Sequence, residues 1–186
     1  MHMARTEKNW RRWEVTGLFV VLILGNLLHF VFEWSGNNRI VAAFAAVNES
    51  TWEHMRLFVI PWIVWSLIEW IALRGNKLPI LSSRALGLLV GALSIPIIYY
   101  TYRNALGVNN PVVNVIIFQV AVLLAFWITW VAIKRRWLQG TLWQVLGGAV
   151  LLAGWLLAVL WTYMPPSAPI FVDPATGQRG IPDIMS

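Results

Sequence analysis

Five stretches of about twenty nearly uninterrupted apolar residues, separated by short connections, constrain this chain more than any other feature. They lie near Val15–Trp34, His54–Leu73, Ala85–Tyr102, Pro111–Ile133 and Thr141–Tyr163. Wound as α-helix, a run of that length matches the hydrocarbon thickness of a bilayer, and none alternates as the strands of a membrane barrel do. A helix closes its own backbone hydrogen bonds in lipid, so the predicted fold is all-α, a polytopic membrane protein with a bundle of five transmembrane helices. Composition agrees. Hydrophobic residues make up 59% of the chain and charged ones 12%, against about 25% charged in an ordinary soluble domain. Disorder, which needs low hydrophobicity, is excluded by the same figures.

The basic residues orient the bundle. Arg5, Lys8, Arg11 and Arg12 precede the first run, Arg74, Lys77 and Arg84 follow the second, and Lys134, Arg135 and Arg136 follow the fourth. Arg39, Arg56, Arg103 and Arg179 fall on the opposite side. This asymmetry predicts a cytoplasmic amino terminus and an extracytoplasmic carboxyl terminus in a bacterial cytoplasmic (inner) membrane. It also accounts for the net charge of +6 without nucleic acid, because the cations sit in clusters between apolar runs. Ala43-Phe44-Ala45 resembles a signal cleavage site, but the preceding run is longer than a signal core and contains Asn26 and His29, so it reads as a span. The chain has no cysteine, which removes disulfides, thiolate metal sites and cysteine nucleophiles.

Residues 1–163 therefore read as one transmembrane domain, and 164–186, rich in Pro and Gly, as an irregular extracytoplasmic tail docked on the outer face. Arg39–Asn48 reads as a short interfacial helix with Ile40, Val41, Phe44 and Val47 on one side. Pro61 and Pro96 predict kinks. Of the 13 Trp residues, most fall where interfacial belts are expected; Trp62, Trp65, Trp127 and Trp130 lie deeper and read as packing.

The polar residues at membrane depth gather at the outer end. Asn26, His29 and Glu33 are spaced by three and four, which aligns them in one stripe along a helix. The second span opens with Asn48-Glu49-Ser50-Thr51-Trp52-Glu53-His54, in which Ser50 and Glu53 form a capping box. Glu49 and His54 occupy the positions of an apolar staple, so a Glu49–His54 contact is expected. Tyr99, Tyr100, Tyr102, Asn110, Asn114 and Tyr163 reach the same level, with Gln119 deeper. The inner ends offer little comparable material beyond Ser66 and Glu69, and Glu69 reads as snorkelling toward Arg74.

Ionisable groups at membrane depth are costly and usually face a bundle interior or a wet cavity. Two imidazoles with carboxylates suit a divalent transition metal such as zinc, three protein ligands leaving a fourth position for water. The expected ligands are His29, Glu33 and His54, with Glu49 as ligand or general base and His54 beside it in any catalytic step. Asn26, Glu33, Glu53, Tyr99 and Asn114 are candidates for holding a bound ligand. A metal-free form of the same site would bind a proton-coupled substrate or a lipid headgroup. No G-x-S-x-G, phosphate loop or dinucleotide fingerprint is present.

Two motifs carry a resemblance. One runs Gly25-Asn26-Leu27-Leu28-His29-Phe30, Glu33, Ser35-Gly36 and then Val47-Asn48-Glu49-Ser50-Thr51-Trp52-Glu53-His54; the other is Pro165-Pro166, Pro169, Phe171, Asp173, Thr176-Gly177 and Gly180-Ile181. Together they resemble a family of small uncharacterised bacterial integral membrane proteins, over essentially the whole chain. The family pattern often has His after the double proline and Tyr before the last Gly-Ile, where this chain has Ser167 and Arg179. The resemblance implies a five-helix membrane protein whose tail, carrying Asp173 as a further ligand-binding candidate, folds back over the outer surface. It implies no reaction.

The function expected is thus an integral membrane protein with a polar His/Glu pocket for a ligand or metal ion at the extracytoplasmic end, facing membrane lipid and acting on a membrane-associated small substrate. The alternatives are an accessory subunit of a larger membrane complex, for which Gly147-Gly148 and Gly154 would permit close helix approach, or a small transporter working as a homo-oligomer.

Overall fold

The computed structural model describes residues 2–73 and 78–182, with side chains from Asn9 onward. Arg5, Lys8, Arg74 and Lys77, used above for orientation, lie outside the described side chains. Five helices follow one another: α1 (His2–Trp34), α2 (Thr51–Leu73), α3 (Ile80–Leu106), α4 (Pro111–Lys134) and α5 (Thr141–Tyr163). Each is long and apolar enough to cross a membrane, α1 over Asn9–Trp34. Among the described residues no strand forms beyond an isolated antiparallel bridge between Val172 and Arg179.

Local chemistry explains the ends. Asn110 accepts a hydrogen bond from Val112 N–H at 2.8 Å, and Pro111 sits at the first helical position, where its missing N–H is harmless. Gly107 stops α3 in the left-handed conformation at φ 68°. Pro61 lies within α2 and Pro96 within α3, and both helices continue through them.

The five helices place the ends of α1, α3 and α5 and the start of α2 and α4 on one face, here the tail face. The second helix is the most enclosed, buried against α1 and α3, while α3 also packs along α4 and α5. Phe58, Trp62, Val122, Ala121 and Ala125 form the dry middle of this core. Gly147 allows α5 to touch α3 backbone to backbone: a Cβ there would stand 2.6 Å from Ser82 Cα.

The segment after α1 departs from expectation. In place of an interfacial helix over Arg39–Asn48 there is a single 3-10 turn, Val41–Ala43, and Ala42, Ala45, Ala46 and Val47 are buried. Its carbonyls are claimed by Arg56: Nη2 donates to Ala42 O at 2.8 Å and Ala43 O at 3.0 Å, and Nη1 to Ala45 O at 3.3 Å. The N–H of Ala46, which a continuing helix would point at Ala42 O, bonds instead to Leu28 O at 3.2 Å. Arg56, counted above as a loop cation, is buried inside α2 and paired with Glu53.

Arg84 is likewise no loop cation. It is buried in α3 and bonded to Glu69, whose carboxylate is fully enclosed and does not reach toward the surface. These two corrections remove one arginine from each side of the bundle, so the asymmetry of the remaining basic residues survives.

The tail lies on the tail face. Phe171 is buried between Trp52 and Trp161, with ring centroids 5.1 and 5.5 Å away, and Asn48 donates to Gly180 O at 2.7 Å.

Candidate metal centre

His29 comes from the last third of α1, Glu49 from the loop before α2, and His54 from the first turn of α2. Gly25, one turn before His29, allows the close approach this requires, since a Cβ there would lie 2.3 Å from Phe118 Cζ and 2.8 Å from Leu57 O. The His29 and His54 rings meet edge to face at 5.5 Å. Glu49 bridges them: one oxygen lies 3.7 Å from His29 Nε2 and the other 3.7 Å from His54 Nε2.

Those distances exceed hydrogen-bond length. Ligand atoms around a tetrahedral zinc with bonds of about 2.0–2.1 Å stand roughly 3.3 Å apart. The three donor groups here offer atoms within 4.8 Å of one another, so a small closure reaches that spacing. His54 is also oriented for it. Its Nδ1 is 3.0 Å from Ser50 O, a carbonyl that can only accept, so in the neutral ring Nδ1 carries the hydrogen and Nε2 presents its lone pair toward Glu49 and His29. A backbone carbonyl holding the outer nitrogen is the usual support of a metal-binding imidazole.

The loop carrying Glu49 is fixed from beneath. Ser50 Oγ accepts from Glu53 N–H at 3.3 Å, one half of the expected capping box. The other half differs: Glu53 accepts from Val47 N–H at 3.1 Å and from Arg56, and Asn48 Oδ1 takes Ser50 N–H at 2.8 Å. Glu53 is therefore a buried anchor of the loop, and its ligand-binding assignment finds no support in its contacts.

The other candidates divide. Glu33, one helical turn beyond His29 and thus about 6 Å farther along the axis, is exposed and stands outside the cluster, and Glu49 is the carboxylate that meets both imidazoles. Asn26 and Asn114 line the same cavity of about 530 Å³ as His29, Glu49 and His54. Asn26 donates to Leu22 O and accepts from Gln119, while Asn114 accepts from Tyr102 and donates to Asn109. Tyr99 is buried beside a smaller adjoining cavity that His54 and Glu49 also line, and its hydroxyl accepts from Arg103 at 3.0 Å. Asp173 is buried in the tail, where it accepts from Ala175 N–H at 2.8 Å. It shapes the tail whose Pro174 and Ala175 form part of the cavity rim, and lies outside the cluster.

The sequence reading missed one constellation. Glu14, Glu69 and Arg84 meet at the opposite end of the bundle. Glu14 sits at the edge of an apolar run beside Trp10 and Trp13, an environment in which a free carboxylate is out of place; that was the available signal.

No curated protein and no solved structure matches this chain. A family model does, over residues 1–181, described as "Family of unknown function (DUF6512)". The chain belongs to that family.

Proposed function

We propose that this protein is a metal-binding membrane protein in which His29, Glu49 and His54 hold a transition metal ion, zinc being the best chemical fit, and leave one position for water. The convergence of two imidazole nitrogens on the two oxygens of one carboxylate carries this reading. Mixed nitrogen and oxygen donors without sulfur favour zinc over soft-ligand metals, and an open fourth position is the mark of a reactive site.

The substrate class is a small membrane-associated molecule. Phe30 and Val115, both half-exposed, and Phe118 make one wall of the cavity between α1 and α4, which supports entry of an apolar group from the lipid side. A zinc-bound water would serve as the nucleophile there, activated by the metal's charge. Asn26 and Asn114 supply neutral hydrogen-bonding groups on the cavity wall. The tail face is the extracytoplasmic one in this reading, supported by the distribution of lysine and arginine.

Elemental analysis of the purified protein tests it. One zinc per chain is expected, with loss in His29→Ala and in His54→Ala. Absence of metal, together with no thermal stabilisation by added zinc, overturns it.

A further inference from the structure

The second constellation lies about 22 Å from the first along α1. Arg84 Nε donates to Glu69 Oε2 at 2.6 Å, and its Nη2 bridges Glu69 Oε2 at 2.5 Å and Glu14 Oε1 at 3.1 Å. Trp10 Nε1 donates to Glu14 Oε1 at 3.3 Å. The guanidinium is held between the rings of Trp62 and Phe126, at 4.9 and 4.8 Å, and Trp62 Nε1 fixes Arg84 O at 3.0 Å. Glu69 and Arg84 are fully buried, and Glu14 is 5% exposed.

This arrangement sets two carboxyl groups against one cation. An uncompensated charge in such a place is far more costly than a neutral carboxyl group. Three atoms of the cluster are buried without a partner, the acceptors Glu14 Oε2 and Glu69 Oε1 and the donor Arg84 Nη1, so acceptors outnumber donors by one. A hydrogen on Glu14 would turn one orphan acceptor into a donor and leave one carboxylate facing one guanidinium.

Among the described residues, the ion pairs shown for Glu14 and Glu69 run to Arg84. On α1, Arg12 is exposed; on α4, Lys134 is exposed with its ammonium over Trp130. The fifth helix contains no charged residue. Arg74 and Lys77 lie outside the described residues.

We propose that Glu14 and Glu69 form a proton-binding site, in which the pair holds one proton against Arg84. Glu69, with the Nε hydrogen bond and the shorter Nη2 contact, is the ionised member, and Glu14, which meets Nη2 at the longer distance and also accepts from Trp10, takes the proton. Binding converts the Glu14 carboxylate to a carboxylic acid and breaks no bond. Glu14 is also the least enclosed member, so exchange runs through it, on the face opposite the tail. The site is independent of the metal reading.

Infrared spectroscopy of the full-length protein at neutral pH tests the proposal. The wild type is expected to show a protonated-carboxyl stretch that shifts in heavy water. Glu14→Gln, nearly isosteric with the protonated acid, should fold and lose that band. Glu69→Gln should lose it as well, because Glu14 then becomes the sole counter-ion of Arg84. Glu33→Gln should leave it unchanged. A wild type without the band, or a band that persists in Glu14→Gln, overturns the proposal; should Glu69→Gln fail to fold, Glu14→Gln alone decides.

Discussion

The Nε2 atom of His54 stands 3.7 Å from a carboxylate oxygen of Glu49. The opposite nitrogen of that ring is occupied by the carbonyl of Ser50 at 3.0 Å. The two contacts together fix which side of the imidazole is basic and where it points. Glu49 spends its second oxygen on His29 in the same way, so the carboxylate is the hinge of the cluster.

Because Ser50 supports His54 through its carbonyl and caps α2 through its hydroxyl, Ser50→Ala separates two effects. Loss of the cap should cost about 1 kcal/mol, read as a lower thermal midpoint in detergent. Zinc affinity should be unchanged, as judged by competition with a chromogenic chelator, whereas His54→Gln should reduce it by at least tenfold.

Arg56 and Glu53 organise the loop that delivers Glu49. Arg56→Met leaves a buried carboxylate without its cation and strips three carbonyls of their donor, so a loss of about 3–5 kcal/mol is expected. Hydrogen exchange should rise over residues 41–49 in particular. Unchanged protection in that segment would show that the loop is held by other means.

Phe171 fills the space between Trp52 and Trp161. Truncation to Ala should destabilise the docked tail by about 3–5 kcal/mol. Limited proteolysis should then cut near Pro174–Gly177 while the five helices stay protected.

Metal binding requires unprotonated imidazole, so protons and zinc compete. Zinc affinity should therefore fall as the medium is acidified. The double substitution His29→Ala with His54→Ala should abolish that dependence along with the binding itself.

Much of the scaffold was legible because lipid leaves a chain few options. Apolar length fixed five helices, and the ends of α4 and α5 fall within a residue of the hydropathy boundaries. The extra turns of α1 and α3 were hidden because polar residues continue those helices beyond the apolar runs. The two arginines, Arg56 and Arg84, were misread for a related reason: near a span end, sequence alone does not distinguish a surface cation from one paired inside. Only the fold brings Glu53 or Glu14 and Glu69 to them. At the site, the i, i+3 and i, i+4 spacing set His29 on a stripe and the capping sequence at the head of α2 singled out Glu49 and His54, and the structure brings these three side chains together. Periodicity did not indicate that α1 climbs past the cluster before reaching Glu33, which leaves the bridging position to a loop residue.

The most direct test is zinc K-edge X-ray absorption on protein purified without added metal. The account predicts one zinc per chain, bound at about 2.0 Å by two imidazoles and light oxygen donors, and no bound zinc in His29→Ala. Zinc held without imidazole, or a spectrum indifferent to that substitution, would contradict it.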